Sequence, residues 1–183
     1  RHGSKSLQAL REDGWLSIAL VNYMARLGHY YADNDFMTFS ELADKFDISN
    51  LSTSPAKFDP NQMRYWQKEA ISKLTHEEFW HWLSDYQIAD APRYDSQLSE
   101  ERKILFADAI KPNVLFPIDA WKWFDVFFSD KLVMSSDAKE TVINAGEEFF
   151  SLAIAAAEKV GKDIKEIALQ IKAIKGVKGK ALF

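Results

Sequence analysis

The chain has 183 residues, 47% of them apolar, and a formal net charge of -4. That length holds one or two modest domains with a real core, and the acidic total excludes a uniformly basic nucleic-acid binder. No cysteine occurs, which removes disulfides, thiolate catalysis and cysteine-ligated zinc and suits a reducing cytosol. No apolar run approaches the roughly 20 residues that cross a bilayer. With only seven glycines and five prolines, long helices joined by short connections fit better than a sheet sandwich, so the expected fold is all-α. The chain begins with Arg rather than Met and shows no basic-then-apolar leader, so we expect a piece of something longer.

Charge is unevenly spread along the chain. Residues 1–11 carry Arg1, Lys5 and Arg11 without an acid, and residues 167–183 carry Lys172, Lys175, Lys178 and Lys180 without an acid. Acids concentrate between Asp33 and Asp47 and between Glu140 and Glu148. Such polarity can seat a polyanion on one face of an acidic protein, although solvated helix faces carry the same pattern.

In chain order, the basic start runs into an amphipathic helix in which Ile18, Val21 and Ala25, and Leu16, Leu20, Tyr23 and Leu27, recur at steps of three and four. Gly14 precedes it and Gly28 follows, the latter expected as a left-handed stop. Thr38 and Glu41 form a capping box for a brief helix through Leu42, Ala43 and Phe46. A polar loop over Ile48 to Ser54 leads to Asp59 as N-cap and Pro60 as first residue of a long helix, with Met63, Trp66, Ala70, Ile71 and Leu74 as its apolar stripe. Thr75 and Glu78 make a second capping box, opening a helix to Tyr86.

Pro92 stops that helix, and Ala91 to Ser99 reads as a linker close to a subdomain boundary, giving two helical subdomains, 1–93 and 94–183. Ser99 caps a helix through Ile110 with Ile104, Leu105, Phe106 and Ala109 on its apolar side, ended by Lys111-Pro112-Asn113. An aromatic stretch follows, in which Phe116, Ala120, Phe124 and Phe127 have helical spacing and are assigned to the interior, leaving Trp121, Lys122 and Trp123 as surface. Ser136 caps the next helix, which stops at Gly161, and Asp163 to Lys175 is the last, with Ile164, Ile167, Ala168, Ile171 and Ile174 inside.

No catalytic constellation is legible. His76 and His81 are five apart and do not share a helix face as metal ligands, and neither a Gly-Lys-Ser/Thr phosphate loop nor a Gly-(x)-Ser-(x)-Gly elbow occurs. The expected catalytic and metal sites in this piece are therefore none.

Three strings carry a family resemblance. Arg1-His2-Gly3, followed by Gly14-Trp15-Leu16 and then Asn22-Tyr23, Arg26-Leu27-Gly28, resembles glutamyl-tRNA synthetases just after their second class I signature. Ser54-Pro55-Ala56-Lys57-Phe58-Asp59, with Met63, Tyr65 and Gln67 beyond it, is similar to that family's Ser-Pro-Ala-(x)-Phe-Asp followed by Leu-(x)-Trp-(x)-Asn. Gly176 to Phe183 resembles its Gly-Val-Lys-Gly-Lys-Ala-Leu-Phe. The likeness covers nearly the whole chain and implies a stem-contact helical region at 1–93 and an incomplete anticodon-binding helical domain at 94–183.

The resemblance implies roles for particular residues. Arg1 would directly follow the lysine of the loop that touches ATP. Ser54 and Lys57, with Gln67 in place of the family's asparagine, would contact the tRNA at its inner corner, where a hydroxyl and an ammonium suit phosphate or ribose oxygens. Lys111, Asn113, Trp121, Lys178 and Lys180 would serve the anticodon. Asn113 stands where relatives often carry an arginine that reads the third anticodon base, and an amide lacks the cationic fork, so altered or relaxed reading of that base is expected. The intact enzyme would join glutamate to tRNA with ATP and Mg²⁺, neither of them bound by this piece, as a cytosolic monomer away from membranes. The competing expectation is a non-enzymatic helical protein-interaction module.

Overall fold

The computed structural model describes residues 5–86, 98–128, 133–161 and 163–175. The chain is all-α: among the described residues the only strand-like feature is an isolated antiparallel bridge between His29 and Leu51. It divides into two compact units, Arg1–Lys131 and Leu132–Phe183.

In the first unit, α1 (Leu7–Glu12) begins where Ser6 Oγ accepts from the Ala9 N–H, and Lys5 pairs with Asp13 at its far end. Gly14 then turns the chain with φ +90° into α2 (Ser17–Gly28). Gly28 is the last residue of that helix and has no positive φ, contrary to the expected left-handed stop. What ends the helix is pairing: His29 is extended, the Tyr30 N–H donates to Asn50 O at 3.0 Å and the Ser52 N–H to Gly28 O at 2.9 Å. The short α3 (Phe39–Asp44) carries the Thr38–Glu41 capping box as expected. The loop after it contains a 3-10 turn, Ile48–Asn50.

Helix α4 (Pro60–Lys73) starts as the sequence dictates, with Asp59 Oδ1 accepting from the Asn61 N–H at 2.8 Å and Pro60 in the first turn. It buries Met63, Trp66, Gln67, Ala70 and Ile71. Ala19 and Tyr23 of α2 pack against Met63, Trp66 and Ala70. Helix α5 (His76–Asp85) has the Thr75–Glu78 box.

Helix α6 (Glu100–Ile110) is capped by Ser99, and α7 (Pro117–Phe128) follows a 3-10 turn, Lys111–Asn113. Phe79, Trp82 and Leu83 of α5 share one apolar cluster with Phe106, Ala107 and Ile110 of α6 and Ala120 and Phe124 of α7. Helices on both sides of residue 93 therefore build a single core, and the compact division falls later, at 131/132. Of the expected linker, residues up to 97 lie outside the described ones.

Two apolar faces differ from expectation. In α6 the buried set is Phe106, Ala107 and Ile110, while Ile104, Leu105 and Ala109 are exposed, because α5 and α7 pack on the other flank of the helix. In α7, Phe127 is 54% exposed whereas Trp121 is half-buried against the α5–α7 cluster.

The second unit consists of α8 (Ser136–Val160) and α9 (Ile164–Lys175) packed together. The cap of α8 is Ser135, whose Oγ accepts from the Ala138 N–H, one residue earlier than expected. Gly146 interrupts α8 with φ +75° and ψ 163°, a conformation open to glycine alone. Gly161 ends it with φ +75°, as the sequence suggested. Among the described residues of this unit only Ala156 and Ile171 are fully buried, and Ile164 and Ile174, expected inside, are exposed.

Candidate nucleic-acid interface

The outward side of α4 carries two cations in register. Asn61, Arg64 and Lys68 fall at steps of three and four, so they share one face, and all three are exposed. No ion pair among the described residues engages Arg64 or Lys68. Lys57, also exposed and without an ion pair, stands in the loop that feeds the helix. That loop is pinned: the Asp59 N–H donates to Tyr23 Oη at 2.7 Å, and the Phe58 ring meets Tyr23 edge-on at 5.9 Å. Ser54 is exposed, with its N–H given to Ser52 Oγ at 3.1 Å and its hydroxyl facing no acceptor among the described residues.

Behind the cationic face, the buried side of α4 is a polar joint. Gln67 has no solvent exposure, and every one of its hydrogen bonds is internal. Its Oε1 accepts from the Leu16 N–H at 3.0 Å, and its Nε2 donates to the carbonyls of Gly14 and Leu115, each at 3.1 Å. Trp82 Nε1 gives a second hydrogen bond to the Gly14 carbonyl at 2.9 Å. The amide expected to touch RNA is thus sealed inside, where an unpaired polar group would be costly and a fully paired one specifies the packing.

Nearby, Arg26 lies 4.0 Å over the Trp66 ring and donates to Asn22 and to the Asp35 carbonyl. Burial lowers its pKa, with Tyr31 and Tyr65 acting the other way. Arg26 is therefore a packing cation that steadies Trp66 from within.

Of the residues expected at the anticodon, Lys111 is half-buried. Its Nζ donates to Leu74 O at 2.6 Å and sits 5.6 Å from the Phe79 ring centre. A cation placed there satisfies one of the orphan carbonyls at the end of α4 and favours the helix dipole. Asn113, two residues on, is exposed. Trp121 is half-buried, leans on Phe124 at 5.7 Å, and has a buried Nε1 without a hydrogen-bond partner. Arg1, Lys178 and Lys180 lie outside the described residues.

Periodicity on α4 was visible in the sequence for the apolar stripe, and the same spacing read for basic residues would have found Arg64 and Lys68. Elsewhere the surface suits other chemistry. An open cavity of about 570 Å³ near α3 is lined by Asp33, Asp44 and Asp47 together with Lys45, which pairs with Asp33, so its lining carries an excess of acid that does not favour phosphate. Among the described residues no group of three or more His, Cys, Asp or Glu could hold a metal, and no helix is long and apolar enough to cross a membrane. His76 meets Asp108 at 2.7 Å and His81 lies 3.5 Å from Asp85, both as exposed surface pairs.

Comparison with known proteins bears on what this face meets. No family model matches the chain. The full 183 residues align at 40% identity with glutamate–tRNA ligase 2 of Nitrosococcus oceani, at 38% with glutamate–tRNA ligase 2 of Coxiella burnetii, and at 35% with glutamate–tRNA ligase 1 of Methylococcus capsulatus. The chain spans 37% to 38% of the length of those relatives. Solved structures share the fold: a glutamate–tRNA synthetase from Elizabethkingia anophelis matches 92% of the chain and 33% of its own length with a TM-score of 0.60 at 19% identity. A glutamate tRNA ligase from Elizabethkingia meningosepticum matches 94% and 35% with a TM-score of 0.61 at 20% identity. Along all 183 residues the chain is thus similar to part of the glutamate–tRNA ligases, enzymes of the aminoacyl-tRNA synthetase class, and it shares its all-helical fold with solved members.

Proposed function

We propose that this chain holds transfer RNA for a glutamate–tRNA ligase. The observation that carries the reading is the exposed Lys57, Arg64 and Lys68 on and before α4, cations that form no ion pair among the described residues, in a chain that aligns over its whole length with such enzymes. Cations spaced along a rigid helix suit successive phosphates, and contacts of this type position an RNA without reading its sequence. Ser54 offers a hydroxyl to the same backbone. Arg1, next to the loop that touches ATP, would complete the path to the acceptor end, and Lys178 and Lys180 would add cations at the anticodon. The intact enzyme would activate glutamate with ATP and Mg²⁺ through residues outside this chain and work as a cytosolic monomer. Asn113, exposed on its turn, is the base-facing group, Lys111 anchors that turn to the end of α4, and Trp121 on α7 would serve the anticodon beside them. Gln67 acts as a positioning residue rather than a direct contact.

Salt titration of binding to glutamate and glutamine tRNA transcripts tests the reading. The affinity should fall linearly with salt on logarithmic axes. Arg64→Ala and Lys68→Ala should each flatten that slope by about one without preference for either tRNA. Similar affinity for the two tRNAs is the expected consequence of an amide at position 113. Binding that ignores salt, or capture of a protein partner with no tRNA affinity, would replace this reading by that of a helical interaction module.

A further inference from the structure

The Lys111–Asn113 turn is fastened to α4 on both sides of Asn113. Upstream, Lys111 Nζ donates to the carbonyl of Leu74, at the C-terminal end of α4, at 2.6 Å. Downstream, the Leu115 carbonyl accepts from Gln67 Nε2, in the middle of α4, at 3.1 Å. Val114, between the two ties, is 2% exposed, and Asp119 Oδ2 accepts the N–H groups of Leu115 and Phe116 at 3.3 and 3.1 Å. Pro112 and Asn113 are thus the exposed residues of a loop whose two flanks are anchored to the helix that carries Arg64 and Lys68.

We infer that Lys111 and Gln67 are positioning residues that fix the separation between the phosphate contacts on α4 and the base contact at Asn113. The inference rests on the tRNA-holding reading above and adds the way in which its two contacts are kept in register. Two contacts on one ligand reinforce each other only when the protein holds them at the span the ligand presents, since the second contact then forms at a high effective concentration. A turn free to move against α4 would leave each contact intact and lose the reinforcement.

Lys111→Met keeps an aliphatic stem over Phe79 and removes the donor to Leu74 O together with its charge. Gln67→Leu removes the second tie, but it strands several buried polar groups and can fail to fold, so Lys111→Met is the deciding variant. Fluorescence anisotropy on the full chain would compare intact tRNA, an anticodon stem–loop alone, and an acceptor-and-D-arm hairpin lacking the anticodon. The expected result is an affinity for each partial RNA within about two-fold of the parent and a loss of about ten-fold for intact tRNA. Lys111→Arg, which keeps the donor, should recover most of that loss. Weakening confined to the stem–loop would make Lys111 a direct contact and overturn the positioning role, as would unchanged binding of intact tRNA. A parent chain that binds no RNA of the three, intact tRNA included, overturns the tRNA-holding reading and this inference with it.

Discussion

At Gly14 one carbonyl accepts two side chains from different helices, Gln67 Nε2 at 3.1 Å and Trp82 Nε1 at 2.9 Å. The same residue holds φ +90°, and a Cβ placed on it would lie 2.3 Å from Pro117 Cδ. Both facts exclude any side chain, one through backbone strain and one through sterics. Gly14→Ala should therefore cost about 2–4 kcal/mol, read as a lower urea midpoint with an unchanged slope. A shift within experimental error would mean that Pro117 yields freely and that the joint is not under constraint. The neighbouring string Asn22-Tyr23 has a similar physical content. The fully buried Asn22 gives Nδ2 to Met37 O at 2.7 Å and takes the Met37 N–H on Oδ1 at 3.0 Å, while Tyr23 Oη receives the Asp59 N–H. Residues that carry the family resemblance thus hold loops in place.

Among the elements, helix starts were the most legible feature of the sequence. Thr38, Asp59, Thr75 and Ser99 each bond an N–H within the next few residues, so the signal and its effect share one short string. Helix faces were less legible. Ile104, Leu105 and Phe106 are consecutive, and which of them is buried depends on where α5 and α7 approach, a fact that no single helix records. The inward turn of Gln67 depends on three backbone groups 48 to 53 residues away and was equally hidden, whereas Ser54, Lys57 and Asn113 are exposed.

The capping boxes also set an acid response. Hydrogen bonds from Thr38 and Thr75 hold Glu41 and Glu78 below the usual carboxylate range, Lys45 does so for Asp33, and Ser49 for Asp47. Each folded-state pKa lies below its unfolded value of about 4.3 for Glu or 3.9 for Asp. The stability these groups contribute is fully present above those values and is lost as pH falls through the folded pKa. Melting temperature followed from pH 6 to about pH 3 should decline. Thr75→Ala should lower it at neutral pH, through a lost cap worth about 1 kcal/mol, and flatten the decline. A decline as steep in Thr75→Ala as in the parent would remove Glu78 from the account.

For the molecule as a whole, the two compact units differ in what holds them. Among the described residues, those of 1–131 contain 18 of the 20 buried apolar side chains, and hydrogen-bonded joints at Gly14, Asn22 and Gln67 tie their helices together. The described residues of 132–183 contribute only Ala156 and Ile171, in helices that also expose Ile143, Ile154, Ile164 and Ile174, and Gly146 breaks the longer helix. Burying a large aliphatic side chain is worth about 1.5–3 kcal/mol, so so small a core leaves α8 and α9 near the lower limit of independent stability. Local opening free energy follows buried contact density, which places α8 and α9 well below α2, α4 and α5. Hydrogen exchange followed peptide by peptide should therefore show α8 and α9 exchanging at least about a hundred-fold faster than the buried turn of α4 around Trp66 to Ile71. Equal protection in both units would mean that the chain unfolds as one cooperative body and that burial within each unit does not set its stability.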